Sequence, residues 1–282
     1  MLDGAGRGGD DRGYREVGAL AMAQKHTSSH VKSHTSSRAK TPISPRRAIK
    51  RLLAWVGWPV WMAVSFIAAG VICALPLGES STAVVILLYQ AAVYVVLLLL
   101  LIGGPWLVGV VVPRYVSALR TTWRQLGLQR LLRWKDIAWA LVGVVLYILL
   151  SMVLLFIAQH VVPGFDVSQR QDIGVSQQLF GMERFIAFIA FVLAAPIAEE
   201  VAFRGYLYGK LRHARMPVWA VVLVVSVLFG LAHGQWNVGV DVFALSLVMC
   251  GLRCMTDTIW PAMVLHIIKN TVAFIGIFVL MV

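Results

Sequence analysis

The stretch FIAFIAFVLAAPIAEEVAFRG, residues 185–205, decides how this chain folds, because it sets two adjacent carboxylates in a long apolar run. A carboxylate is costly in hydrocarbon, and intramembrane acidic residues generally mark functional sites. Arg204 follows Glu200 by four residues, so the two side chains share a helix face and can form an ion pair. Glu199 points elsewhere, because an α-helix turns by about 100° per residue. The segment predicts a membrane helix in which Glu200 is paired and Glu199 has no local cation.

The composition indicates a polytopic membrane protein rather than a soluble domain. Of 282 residues, 59% are hydrophobic and only 13% are charged. Several windows exceed the roughly 20 apolar residues that cross a bilayer, and they read as helices because lipid cannot satisfy an open backbone. We therefore predict an all-α, polytopic transmembrane helix bundle. Its spans, about seven in number, cover approximately residues 52–75, 83–112, 137–161, 184–213, 218–234, 239–253 and 259–281.

The net charge of +12 is better explained by a membrane surface than by nucleic acid, because the basic residues lie in the N-terminal segment and in loops between apolar spans. The loop after the second span is rich in arginine, whereas LGESST, after the first span, has no basic residue. The positive-inside bias then predicts a cytoplasmic N-terminus. We expect a multi-pass protein of the plasma membrane that contacts the lipid bilayer and no nucleic acid.

The chain divides into a polar tail and a membrane domain. Residues 1–48 are rich in Gly, Ser, His, Lys and Arg and have too little apolar surface to fold alone, which predicts a disordered cytoplasmic tail. Residues 49–282 are predicted to form the transmembrane helical domain.

Polar residues in the later spans complete a set suited to hydrolysis. His233 lies 16 residues after the turn at Pro217, and Glu199 lies about 16 residues before that turn, so antiparallel helices would bring both to one level. The two side chains could then share a water molecule, with Phe229 forming a wall of the site. His266 and Asn270 share a face of the last span and offer hydrogen-bond donors for an oxyanion. This set fits hydrolysis of an acyl bond.

Three blocks of sequence make the resemblance to a known family specific. EEVAFR, FGLAH and HIIKN stand in order on successive apolar segments. They resemble the EExxxR, FxxxH and HxxxN/B motifs of the CPBP family of intramembrane proteases, which includes CAAX prenyl protease 2, lysostaphin resistance protein A-like and Abi proteins. The resemblance covers about residues 180–275, which we identify as a protease-like core.

The resemblance implies a role for each matching residue. Glu199 and His233 would activate the attacking water, and His266 and Asn270 would hold the developing oxyanion. Glu200, Arg204 and Phe229 would support the site. The implied activity is that of an intramembrane endopeptidase acting on a membrane-embedded or lipidated, CAAX-type substrate without a required cofactor.

The sequence also allows three alternatives to a metal-free peptidase. Glu199, His233 and His266 could instead supply three ligands of a zinc ion and leave a fourth position open. The chain could be a non-catalytic immunity or transporter-associated membrane protein that retains the fold. A transporter could also use an intramembrane carboxylate as a proton relay.

Overall fold

A computed structural model describes residues 44–74, 82–113, 119–169 and 178–280, and all regular structure among them is helical. This part of the chain therefore confirms the predicted all-α class. The predicted tail lies outside the described residues except for its last few positions, where the first helix already begins. The helices are α1 (Pro45–Ala74), α2 (Ala83–Val111), α3 (Trp123–Leu126), α4 (Trp134–Val161), α5 (Gly181–His213), α6 (Val218–Leu231), α7 (Trp236–Thr256) and α8 (Trp260–Leu280).

Six of the described helices are long and apolar enough to cross a membrane, and the protein is an integral membrane protein. The exception among the seven predicted spans is α6, which has 14 residues and ends at Leu231. At about 1.5 Å per residue it is roughly 21 Å long, shorter than a hydrocarbon core of about 30 Å. Three residues after its end, Gly234 adopts a left-handed conformation with φ of 68° and turns the chain. The predicted span at 218–234 is therefore a shorter helix followed by a turn that contains His233.

Helices α6 and α7 form a tightly packed antiparallel pair, and α4 lies against α7 and α8. Glycines allow the close approach of α6 and α7, because a Cβ added at Gly230 would lie 2.9 Å from the carbonyl oxygen of Gly239. The buried core gathers apolar side chains from α1, α2, α5, α6, α7 and α8. Many aliphatic side chains on the outside of the bundle are exposed, as expected of a surface that faces lipid.

The arginine-rich connection between α2 and α4 is tied to the turn between α7 and α8. Thr122 and Gln125 form a capping box on α3, and the chain then turns at Gly127 with φ of 72°. The carbonyl oxygen of Gly127 accepts hydrogen bonds from the Thr258 hydroxyl at 2.7 Å and from the Ile259 N–H at 3.2 Å. The early and late parts of the membrane domain are thus joined at this end of the bundle.

Helix α5 is not uniformly α-helical. Its residues Ile189–Ala194 and Val201–Leu207 are π-helical, and the α-helical segment Ala195–Glu200 lies between them. Such segments are uncommon and occur frequently at functional sites. Both glutamates of the opening stretch therefore lie in a short segment whose register differs from that of the continuous α-helix predicted from the sequence.

Candidate active site

Glu200 contacts the guanidinium group of Arg204 and the imidazole of His266 in the interior of the bundle. Its Oε1 accepts a hydrogen bond at 3.0 Å from Nη1 of Arg204 and lies 3.0 Å from Nδ1 of His266. The side chains of Glu200 and Arg204 are fully buried. A buried charge needs a partner to remain ionised in a low-dielectric interior. The arrangement contains the Glu200–Arg204 pair predicted from the spacing and extends it to α8.

The contact with Glu200 orients the imidazole of His266. An ionised carboxylate only accepts hydrogen bonds, so Nδ1 of His266 carries the proton in this contact. The opposite ring nitrogen, Nε2, lies 3.7 Å from Oε2 of Glu199. His266 is therefore held by one glutamate and faces the other.

Glu199 takes its partners from other helices. The hydroxyl of Tyr94, on α2, donates a hydrogen bond of 2.6 Å to its Oε1. Its Oε2 faces His266, and 13% of its side chain is exposed, whereas none of the Glu200 side chain is. Partners from α2 and α8 take the place of the local cation that α5 does not supply.

Phe229 lies at the centre of the aromatic and cationic contacts of the site. Its ring makes edge-on contacts with the rings of His233 and His266, with centroids 5.0 Å and 5.8 Å away. The guanidinium carbon of Arg204 lies 4.1 Å from the Phe229 centroid, within the range of a cation–π interaction. Phe229 therefore separates the two histidines and covers the buried arginine.

His233 follows the end of α6 and is oriented by its own turn. Its Nδ1 lies 2.9 Å from the carbonyl oxygen of Phe229, a geometry in which Nδ1 donates the hydrogen bond. The neutral ring then keeps a lone pair on Nε2. Because His233 lines the same cavity as Glu199, this nitrogen can accept a proton or bind water there.

Asn270 is attached to the first π-helical segment of α5. Its Nδ2 donates a hydrogen bond of 2.9 Å to the carbonyl oxygen of Phe191. This contact fixes the amide on α8 against α5 one turn beyond His266. The second N–H of the same amide group is the donor left for a substrate.

A cavity of about 610 Å³ connects these residues. Glu199, His233, His266 and Asn270 all contribute to its wall, whereas the fully buried Glu200 and Arg204 lie behind it. The remaining wall is mainly apolar and aromatic. It consists of Phe66, Gly70, Tyr89, Gln90, Ala91, Val93, Tyr94, Ala190, Phe191, Ala195, Ala232, Val242, Lys269, Ala273, Phe274, Ile277 and Phe278.

Two features of the site were not predicted from the sequence. The first is Tyr94. The sequence feature that could have indicated it is the group of polar side chains Tyr89, Gln90 and Tyr94 on the otherwise aliphatic helix α2. The second is Asp241, which accepts hydrogen bonds from Tyr147 and Ser151 of α4 and lies 4.0 Å from the ammonium group of Lys269. Lys269 thus contributes an amine to the cavity wall beside Asn270.

The zinc alternative requires three ligands around one position. Among the residues that the structure describes, no group of three or more His, Cys, Asp and Glu side chains is arranged to hold a metal ion. That the reaction needs no metal ion stays a prediction, because the arrangement of side chains does not test the reaction.

Comparison with known proteins agrees with this geometry. Residues 181–272, which run from α5 into α8, match the family model of Rce1-like, type II CAAX prenyl endopeptidases. The match covers 92 of the 282 residues, and over this segment the chain is similar to the CPBP family. The resemblance predicted from EEVAFR, FGLAH and HIIKN is confirmed over this segment, which contains all seven predicted site residues.

A curated relative extends the comparison. The chain is 27% identical over 152 residues to the membrane-embedded CAAX protease MroQ of Staphylococcus aureus (strain USA300). The aligned part covers 51% of this chain and 59% of that relative. No solved structure matches the chain.

Proposed function

We propose that this chain is an intramembrane endopeptidase in which Glu199 and His233 activate a water molecule. The observation that supports this most directly is the unequal environment of the adjacent glutamates. Glu200 is buried and contacts Arg204 and His266. Glu199 instead faces the cavity, and one of its oxygen atoms is directed towards His266. A carboxylate that reaches the cavity can accept the proton of a water molecule bound there.

The proposed reaction is the hydrolysis of one peptide bond. Glu199, assisted by Nε2 of His233, takes a proton from water as the water oxygen attacks the carbonyl carbon. Asn270 and a doubly protonated His266 donate hydrogen bonds to the oxyanion that forms. Glu199 then returns the proton to the leaving nitrogen as the carbon–nitrogen bond breaks.

Glu199→Gln is the variant that tests the proposal. It keeps the shape of the side chain but removes the base, so we expect cleavage to fall by at least about 100-fold, the lower range of general-base effects. The substrate is identified by comparing membrane-peptide fragments of cells carrying wild type and Glu199→Gln. Fragments that disappear in the variant are candidate products, and peptides spanning their ends are then assayed with purified protein in liposomes.

Glu183→Gln is the matched control, because Glu183 lies in the first turn of the same helix and outside the cavity wall. Full activity in both variants would contradict the peptidase mechanism. An unchanged cellular function in Glu199→Gln would instead favour the non-catalytic membrane partner, because that role needs no base.

A further inference from the structure

We propose that the catalytic cavity opens on the non-cytoplasmic side of the membrane and takes an extended peptide that reaches the protein from that side. This inference rests on the proposed peptidase function for its substrate class. The membrane orientation that it requires is argued independently, from where the helices end and where the charges lie.

The cavity is confined to one end of the bundle. On α1 its wall begins at Phe66, in the last third of the helix, and on α2 it uses the first half, from Tyr89 to Tyr94. On α8 it follows His266 to Phe278, towards the end of the chain. The start of α8 is tied to Gly127 and Arg130, just before the start of α4, so α8 runs away from that end of the bundle. Its last residues therefore lie at the end where α1 finishes and α2 begins.

The opposite end of the bundle is closed by protein. Residues 202–211 of α5, which follow the catalytic glutamates, are all buried. Among them, Lys210 donates hydrogen bonds to the carbonyl oxygens of Leu119 and Arg120. Gly205 and Gly209 pack directly on the backbone of α3. Access from this end would require displacement of these packed residues.

Positive charge is concentrated at this closed end. It carries the basic start of α1, the arginine-rich connection before α4, the end of α5 and the end of α7. The basic residues of its described part are Arg46, Arg47, Lys50, Arg51, Arg120, Arg124, Arg130, Arg133, Lys135, Lys210, Arg212, Arg215 and Arg253.

The end with the cavity is poor in basic residues. The sequence joining α1 to α2 has none, and the sequence from 162 to 184 contributes Arg170 and Arg184. Lysine and arginine near the ends of spans are retained in the cytoplasm. The closed end is therefore the cytoplasmic one, and the cavity faces the opposite compartment.

The depth of the cavity defines the form of the substrate. From His266 to Phe278 the wall follows α8 for 12 residues, which corresponds to about 18 Å. An extended chain spans about 3.3 Å per residue, so roughly five residues are needed to cross that depth. The substrate class is thus an unfolded segment of a membrane or translocated peptide, not a folded domain and not a tail presented from the cytoplasm.

Labelling of Gly70→Cys with a membrane-impermeant maleimide tests the orientation. Gly70 lines the cavity, and a Cβ added there meets nothing within 4 Å. Cys73 and Cys254 are first replaced by serine, whereas Cys250 is fully buried and is kept. Leu131→Cys, at a position that is 83% exposed in the basic connection, is the control for the other side.

We expect Gly70→Cys to react in intact cells and Leu131→Cys to react only after permeabilisation. Labelled Gly70→Cys should then lose at least about ten-fold of its Glu199-dependent cleavage, because the adduct blocks the path to the site. If Leu131→Cys reacts in intact cells and Gly70→Cys reacts only after permeabilisation, the proposed membrane orientation is wrong. The peptidase proposal does not depend on that result. If Gly70→Cys is labelled from outside and cleavage stays unchanged, the proposed entry of the peptide through this cavity is wrong.

The two proposals fail in different ways. If no cleavage depends on Glu199 from either side, the peptidase function is wrong, while the labelling still reports the side on which the cavity opens. As a second measurement, a candidate peptide is added to right-side-out and to inside-out vesicles. Cleavage confined to right-side-out vesicles supports the path, and cleavage confined to inside-out vesicles contradicts it.

Discussion

At the scale of single residues, Glu199 and Glu200 show how neighbours of identical chemistry acquire different tasks. Glu200 is enclosed by α5 and α8 and serves two nitrogen partners with one oxygen atom. Glu199 is reached by Tyr94 from α2 and retains contact with the cavity. The difference arises from which helix each carboxylate meets, since both extend from the same short α-helical segment.

Tyr94→Phe should lower the rate of peptide cleavage by about ten-fold or more. The change removes the hydroxyl that donates to Glu199 at 2.6 Å, and a hydrogen bond to a charged group contributes about 1.5–3 kcal/mol. Initial rates with a peptide substrate in liposomes measure the effect. Tyr89→Phe should cause a much smaller loss, because the Tyr89 hydroxyl makes a 3.4 Å contact with the carbonyl oxygen of Gly70. Equal losses in the two variants would contradict a specific effect on Glu199.

Removal of metal ions should leave cleavage unchanged, because the proposed water is activated by Glu199 and His233 alone. The measurement is the rate after dialysis against a strong chelator, with and without added zinc. A loss that zinc restores would show that Glu199, His233 and His266 act as ligands, and the reaction without metal would then be wrong.

At the scale of elements, the site depends on how closely α5 can approach α3. A Cβ added at Gly209 would overlap with the carbonyl oxygen of Gln125, and one added at Gly205 would lie 3.1 Å from that of Leu126. Glycine at these positions lets the two backbones touch. The helix that carries both glutamates is thereby held at its cytoplasmic end, according to the orientation proposed above.

Gly209→Ala should therefore destabilise the protein by about 1–3 kcal/mol, the usual cost of overpacking a close contact. Thermal unfolding in detergent measures the change. Gly251→Ala is the control, because Gly251 also lies within a helix but an added Cβ there meets nothing within 4 Å. A Gly209→Ala variant as stable as wild type would show that α3 moves away without cost.

At the scale of the whole molecule, the turn before α8 connects distant parts of the chain. Thr258 and Ile259 bind the carbonyl oxygen of Gly127, and Trp260 donates a hydrogen bond of 2.8 Å to that of Arg130. The helix that carries His266 and Asn270 therefore begins from a position fixed by the arginine-rich connection.

Thr258→Val should lower the free energy of unfolding by about 1–3 kcal/mol, because it leaves a buried carbonyl without its hydroxyl partner. Thr271→Val is the matched control, since the Thr271 hydroxyl donates to the carbonyl oxygen of Ile267 within its own helix. Denaturant unfolding in mixed micelles compares the two. Equal stability of both variants with wild type would contradict the role assigned to this connection.

The sequence was sufficient to predict the all-α membrane fold, the resemblance to the CPBP family and the Glu200–Arg204 pair. Each follows from local information, such as the apolar length of a span or a separation of four residues. Tyr94 and the contact between Glu200 and His266 could not be derived in this way, because they join α2, α5 and α8 and depend on packing. The short α6 also escaped prediction, because no proline and no Asp, Glu, Lys or Arg side chain separates its end at Leu231 from Gly234, where the chain turns.

The π-helical segments of α5 make the site unusually sensitive to the loss of a single codon. Removing one residue from Ile189–Ala194 would let that segment return to α-helical pairing, which is the commoner backbone geometry. The deletion would remove the extra residue that the wide turn holds, so the change would be local to this segment. The carbonyl group of Phe191 would leave Asn270, and the cavity wall would be rearranged. A deletion of this kind gives a more regular helix and an inactive protein, so helical content and activity should change in opposite directions.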